Sequence, residues 1–287
     1  MSRAKPIPPS ATGEGATGEG ATSEGVTGGG ATAPPSGTSP SGSASPGSFG
    51  SDSSAELVRR LLRTADRGVL STRSARADGW PYGSLVMIAV DHDLSPILLL
   101  SDLAEHTHNL AADPRASLLV DATAGHEDPL AAPRVTLMGR VARIDRAAAA
   151  RYGAHHPGSA LHAGFADFHH YRLVIERAHL VAGFGRIRWL EAGQIAPPVP
   201  EALARDERKL LDALNGDGAL IRRLAAAAGA AGPEGWKVVG LDRDGIDLRW
   251  RDRMLRLWFE QAADTAEAAL AAIEPILRAH PAKGPPP

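Results

Sequence analysis

Cysteine is absent from the 287 residues. Disulfides, thiolate nucleophiles and Cys-ligated zinc or iron–sulfur centres are therefore excluded. Lysine is scarce: it stands only at Lys5, Lys209, Lys237 and Lys283, with none between residues 55 and 195. That stretch cannot hold a Schiff-base lysine. Any anion bound there must be held by arginine, histidine, hydroxyls or backbone N–H groups. Charge of one sign is also lacking, since a net −2 gives no electrostatic footprint for nucleic acid. No apolar run approaches the roughly 18 residues needed to span a bilayer, and the longer ones, such as residues 96–100, are strand-sized. The start of the chain has no charged-then-apolar leader pattern, so a cytoplasmic location without membrane association is expected.

Hydrophobic residues make up 43% of the chain, enough for a sizeable core in one or two domains. They are unevenly spread. Residues 1–54 are low-complexity, with a decaying five-residue repeat from Ala11 (ATGEG, ATGEG, ATSEG, VTGGG) and then a Pro/Ser/Gly run. Such a segment buries too little apolar surface to offset its ordering entropy, and a disordered tail is expected. A period of five excludes collagen, which needs glycine every third residue.

From residue 55 the pattern becomes structured. Leu57, Leu61 and Leu62 lie at helical spacing behind Ser53 or Ser54, predicting a helix over 55–64. Strands are predicted at 69–72, 83–90, 97–101, 117–121, 134–144, 168–176 and 179–184. Asp78-Gly79 marks a turn, and Gly139 marks a bulge. Helices are predicted at 103–112, with Leu103, His106 or Thr107, and Leu110 on one face, and at 145–155. Short strands with few helices suggest a closed barrel over 55–195. The prolines of 192–200 read as a linker. Beyond it, helices at 200–214 and 218–228, strands at 236–241, 245–250 and 254–259, and a helix at 265–278 capped by Asp264 form a small α+β unit over 196–280. Residues 281–287 should fray.

Two segments carry polar groups in a pattern that suggests a ligand. Gly83 and Ser84 let a flat ligand or another backbone approach the strand that continues through Leu85 and Val86. A strand ending at Ser101 runs into a helix start flanked by His106, Thr107 and Asn109. Hydroxyls and exposed N–H groups there suit a phosphate. His106 and His108, two apart, point to different sides of a helix and make a poor metal pair, so no metal site is assigned. Of the remaining histidines, His155, His156, His162, His169, His170 and His179, none stands out as an iron ligand.

The order of these motifs resembles the pyridoxamine 5′-phosphate oxidase-like FMN-binding split-barrel superfamily. Asp78-Gly79, Pro81 and Ser84 are followed by Ser101, Ala104, His106-Thr107, Asn109-Leu110, Asp113-Pro114-Arg115, and then Arg134-Val135, Leu137 and Gly139. The His106-Thr107-x-Asn109 form resembles the HugZ-type haem-utilisation branch, and the C-terminal unit resembles the DUF2470-like domain fused to such barrels. The resemblance implies an α+β protein, mainly an antiparallel split β-barrel followed by a small α+β domain. It also implies a homodimer with cofactor sites at the subunit interface. FMN would be held by the strand Ser84–Met87, through Ser84, Leu85 and Val86, and by Ser101, His106, Thr107 and Asn109, with Arg140, Arg186 or Arg188 supplying charge, in a flavin-dependent oxidoreductase. Haem is the alternative cofactor, in a haem-binding or haem-degrading protein or a non-catalytic regulator. Many relatives carry lysine where His106 stands. The second-domain motif that supplies histidines in haem-degrading relatives reads Ala213-Leu214-Asn215-Gly216-Asp217-Gly218 here.

Overall fold

The computed structural model describes residues 53–183, 186–230 and 235–280. Helix α1 (Ser54–Thr64) starts where Ser53 accepts the Glu56 N–H at 3.2 Å. Its Leu57, Leu61 and Leu62 are buried in the barrel core. Seven antiparallel strands follow: β1 (Arg67–Arg73), β2 (Pro81–Val90), β3 (Pro96–Ser101), β4 (Arg115–Asp121), β5 (Pro133–Ile144), β6 (Phe168–Ala182) and β7 (Ile187–Glu191). Their order is β3-β2-β1-β4-β5-β6-β7, and β3 also pairs with β6. That pairing closes six strands into a barrel and leaves β7 as an extra strand on β6. Period-two alternation sends Leu70, Ile88, Leu98, Leu118, Leu137, Leu173 and Leu180 inward, all fully buried. Each such side chain contributes roughly 1.5–3 kcal/mol by leaving water.

The two strands expected at 168–176 and 179–184 are one continuous strand, β6. The pairing steps from Met138↔Arg177 to Gly139↔Ile175, so Glu176 is the extra residue of a β-bulge. The bulge bends β6 without taking it out of the sheet. The irregularity expected in β5 at Gly139 therefore lies in the opposite strand. Strand β7 was not expected. Its side chains are exposed except for Leu190, so it lacks an alternating pattern. Phe184, the expected end of the last strand, lies outside the described residues.

Helix α2 (Glu105–Ala112) begins two residues later than expected, and Leu103 precedes it with 82% of its surface exposed. Thr107, Asn109 and Leu110 form its buried face instead. The helix expected at 145–155 is a 3₁₀ turn (Ala147–Ala149) followed by α3 (Ala150–His155). Within the proline-rich stretch a short helix, α4 (Ala192–Ile195), buries Ile195 in the barrel core.

The C-terminal part comprises α5 (Glu201–Gly216), α6 (Gly218–Ala227), β8 (Lys237–Asp242), β9 (Gly245–Trp250), β10 (Arg253–Trp258) and α7 (Ala266–Ala279). Its three strands form a second sheet, β10-β9-β8. They share an apolar core of their own with Leu203, Leu224 and Ala269. The cap of α7 is Thr265, which accepts the Ala268 N–H, and not Asp264, which pairs with Arg243 at 3.1 Å. No helix among the described residues is long and apolar enough to cross a membrane.

A buried ionic network joins this part to the barrel. Arg151 of α3 donates to Val90 O at 3.1 Å, to Glu207 Oε1 of α5 at 2.7 Å and to Leu241 O at 3.1 Å. Arg63 of α1 donates to Asp91 O and His92 O and lies 3.4 Å from Asp242. Arg256 of β10 donates to both Asp242 and Asp247, at 2.6 and 2.7 Å, and His155 of α3 meets Asp247 at 3.1 Å. Burial by itself would raise the three carboxyls. The surrounding cations outweigh it: Arg151 first for Glu207, and Arg256 first for Asp242 and Asp247, hold all three below the usual carboxylate range.

A carboxylate depressed on folding contributes its stability fully above its unfolded pKa, and that contribution is lost as pH falls. Unfolding free energy should therefore hold steady above about pH 5 and drop below about pH 4. Denaturant melts across that range would show it, and a midpoint unchanged down to pH 3 would contradict it.

Candidate functional site

The polar segment expected to bind a phosphate forms a tight internal network at the start of α2. Ser101 Oγ donates to Asp167 Oδ2 at 2.7 Å and accepts the Leu103 N–H at 3.1 Å. Thr107 Oγ1 donates to Ser101 O at 2.7 Å. Asn109 is fully buried; it accepts the Ala75 N–H at 2.8 Å and donates to Thr72 Oγ1 at 3.0 Å. Thr107 and Asn109 thus fasten α2 to the barrel with the same groups that a ligand would use. Ala104 gives α2 no side-chain cap. His106 is partly buried, and its Nε2 has no hydrogen-bond partner among the described residues. Burial lowers its pKa, so the imidazole is neutral near pH 7 and supplies no lysine-like charge.

The other expected site residues lie apart from this cluster. On β2, Val86 points into the core, Ser84 is half-buried, and Leu85 points outward with 71% exposure. Arg140 sits exposed on β5, paired with Glu176 at 3.2 Å. Arg186 follows the turn at Gly183, and its carbonyl accepts the Ala182 N–H at 2.9 Å.

Leu85 belongs to a feature that single-strand reading cannot show. Register places Leu85 beside Val69, Val69 beside Leu119, Leu119 beside Thr136, Thr136 beside His179, and His179 beside Trp189. One row thus crosses six strands on the outside of the barrel. Leu85, Val69 and Trp189 are exposed, and His179 stacks on Trp189 with ring centroids 4.5 Å apart. Its exposed apolar members, Leu85, Val69 and Trp189, are the kind of surface groups that contiguous interaction patches contain.

Beside Met87 on the same strand lies a cavity of about 410 Å³, within the usual range for small-molecule sites. Met87 and Leu99 of the barrel, Tyr152 of α3 and Phe168 of β6 form apolar walls. Two imidazoles and one guanidinium reach it: His156, His162 and Arg249 of β9. His156 is committed, donating Nε2–H to Ile88 O at 2.6 Å, and burial keeps it neutral. Burial also pushes the Tyr152 phenol up to about 12. The arrangement suits a flat apolar ligand with an anionic edge. A second cavity, of about 540 Å³, lies between α3 and α5. Its wall is alanine-rich, its charged groups include Arg146, Arg208 and Lys237, and the one aromatic ring among its described lining residues is the imidazole of His170.

Sequence reasoning did not single out Leu99 or Arg249. Met87 entered only as the end of the Ser84–Met87 strand that the resemblance assigned to FMN, and Tyr152 only beside Arg151 in the HugZ-type resemblance. His162 was noted only among several histidines.

The model of the CREG β-barrel family matches residues 50–195. The split-barrel expectation is borne out by that match. Over 135 residues the chain is 38% identical to the non-canonical heme oxygenase HOZ, a chloroplastic protein of Arabidopsis thaliana. The match covers 46% of this chain and 41% of that protein, so the chain spans about two fifths of the curated relative's length. A solved protein of unknown function from Agrobacterium tumefaciens superposes with a TM-score of 0.66 at 28% identity, covering 78% of this chain and 94% of the other. A solved heme-binding protein from Mycobacterium smegmatis is 27% identical over 80% of this chain and 98% of its own, with a TM-score of 0.48.

Proposed function

The chain belongs to the CREG β-barrel family, and we propose that this member is a haem-binding protein that works as a homodimer. The observation that carries the reading is the 38% identity to a haem oxygenase over nearly half of the chain. The structure supports it with a cavity of suitable chemistry, walled by Met87, Leu99, Tyr152 and Phe168 and reached by imidazole and guanidinium groups. When bound, haem would supply the redox and oxygen chemistry, and the protein would supply binding and orientation.

The flavin expectation has less support. Thr107 and Asn109 spend their polar groups inside the barrel, and no lysine or charged histidine stands at the expected phosphate position. The proposed dimer rests on the outer row from Leu85 to Trp189, a continuous face that a second copy would cover.

The test is a titration of the full chain with ferric haem and, separately, with FMN, read by absorption. Haem should produce a sharp, saturable Soret band at one per protomer, and FMN should leave its own spectrum unperturbed. The reverse pattern would sink the haem reading. In light scattering the chain should run as a dimer and Leu85→Asp as a monomer. Unchanged dimerisation of that variant would remove the outer row from the interface.

A further inference from the structure

We propose that His162 ligates the haem iron and that Arg249 binds a haem propionate, so that the C-terminal part completes a site begun by the barrel. This rests on the haem reading above and adds the residues that hold the group.

The argument for His162 starts from hydrogen bonds. A histidine that ligates iron needs a ring nitrogen with a free lone pair and neutral imidazole at working pH. His155 has both ring nitrogens engaged, with Arg151 O and Asp247, and His169 likewise, with Arg143 and Asp102. His92 faces Glu207 and does not line the cavity. His156 does line it and keeps an Nδ1 lone pair, but its Nε2–H is fixed on Ile88 O and its ring packs 4.7 Å from Tyr152 at 6% exposure, a buried position that a flat macrocycle reaches less readily than the exposed His162. His162 has no side-chain hydrogen bond among the described residues, and it lines the cavity. Its ring rests against Phe165 and Phe168, with centroids at 6.2 and 5.5 Å. It sits just after the 3₁₀ turn Pro157–Leu161, in an exposed position.

Arg249 supplies an independent observation. Its Nε donates to Arg251 O at 2.9 Å, but its Nη1 is buried with no hydrogen-bond partner among the described residues. An unpaired buried guanidinium nitrogen is costly, and a carboxylate is the partner that satisfies it best. The nearby acid, Asp66, is already held by Arg67 through two bonds of 2.8 and 3.1 Å. A propionate entering between the apolar walls would meet Arg249, which lines the same cavity as His162. The missing histidines at Ala213 and Gly218 then cease to be an objection, because the C-terminal part contributes a cation here and the imidazole comes from the barrel side.

The experiment uses the full chain with ferric haem, read by absorption and electron paramagnetic resonance. Wild type should show a histidine-ligated ferric spectrum. His162→Ala should lose that signature and bind haem about tenfold or more weakly, and added imidazole should restore the wild-type spectrum. His106→Ala and His179→Ala should keep it. Arg249→Ala should weaken binding of haem about tenfold, yet leave unchanged the affinity for haem dimethyl ester, whose propionates are blocked. If wild type takes up haem and His162→Ala keeps both its spectrum and its affinity, the ligand assignment is overturned while the haem reading stands. If wild type binds the dimethyl ester as tightly as haem, the Arg249 assignment is overturned. If wild type takes up no haem, both this assignment and the reading beneath it fall.

Discussion

Arg151→Met should lower the unfolding free energy by about 3–5 kcal/mol, the usual result of removing one partner from a buried ion pair. Arg151 is only 7% exposed and fills the space between the barrel and α5. Methionine replaces much of its volume, so the loss comes from charge rather than from a cavity. Glu207, also buried, would keep only His92 and the Leu241 N–H as partners, and Asp242 would lose one of its three cations. The stranded carboxylates carry the cost. A second substitution tests that account: adding Glu207→Gln should recover part of the loss, because the unpaired charge is removed with its partner. Denaturant unfolding of the two variants and wild type measures both effects. A single-variant loss under about 1 kcal/mol would show that the network is not what joins the two parts.

Gly139→Ala should destabilise by about 3 kcal/mol, the upper end of overpacking costs. A Cβ at this position would lie 1.9 Å from Val174 O and 2.9 Å from its carbonyl carbon. Those are backbone atoms of β6, held by the ladder itself, so the clash cannot be relieved by rotating a side chain. The bulge at Glu176 brings β6 this close, and a glycine opposite is what lets the ladder continue. Gly153→Ala gives the contrast. It lies in α3 with nothing within 4 Å of its added Cβ, and the change should stabilise by about 0.5–1 kcal/mol. Thermal melts of both variants decide the matter. Equal effects at the two positions would mean that the close approach at Gly139 is not limiting.

Much of the barrel was readable before any coordinates. Leu57, Leu61 and Leu62 at helical spacing found α1, and alternation or continuous apolar runs found β1 to β5 to within a few residues. The readings failed where local pattern and tertiary demand part company. A bulge at Glu176 looks like a turn in sequence, because both interrupt the period of two. Strand β7 looks like a loop, because most of its side chains face solvent. Leu103 looks like part of a helix face, because leucine suits one, although the structure leaves it outside.

The site divides in the same way. Ser101, Thr107 and Asn109 stood out as polar residues near a helix start, and their placement beside α2 follows from the local chain. The partners of Ser101 and Asn109 (Asp167, Ala75 and Thr72) lie 34 to 66 residues away, whereas Thr107 bonds Ser101 O only six residues back. No spacing rule reveals that these contacts consume the donors and acceptors a phosphate would need. Arg151 and Glu207 are separated by 56 residues and Arg63 and Asp244 by 181, and each reads alone as an ordinary solvated charge.

By itself, then, the sequence determined what this protein lacks and what its strands are made of. Without cysteine there is no thiolate chemistry, and without lysine from 55 to 195 no primary-amine anion clamp. Its alternating apolar residues suffice for a barrel, because side-chain period and burial are local properties. Only the tertiary structure decided which polar groups are already satisfied and which are not. Hydrogen-bond partners and desolvation are set by residues far apart in the chain. That difference moved attention from the saturated cluster at Thr107 and Asn109 to the cavity where, among the described residues, the Nη1 of Arg249 is buried without a hydrogen bond and His162 makes no side-chain hydrogen bond.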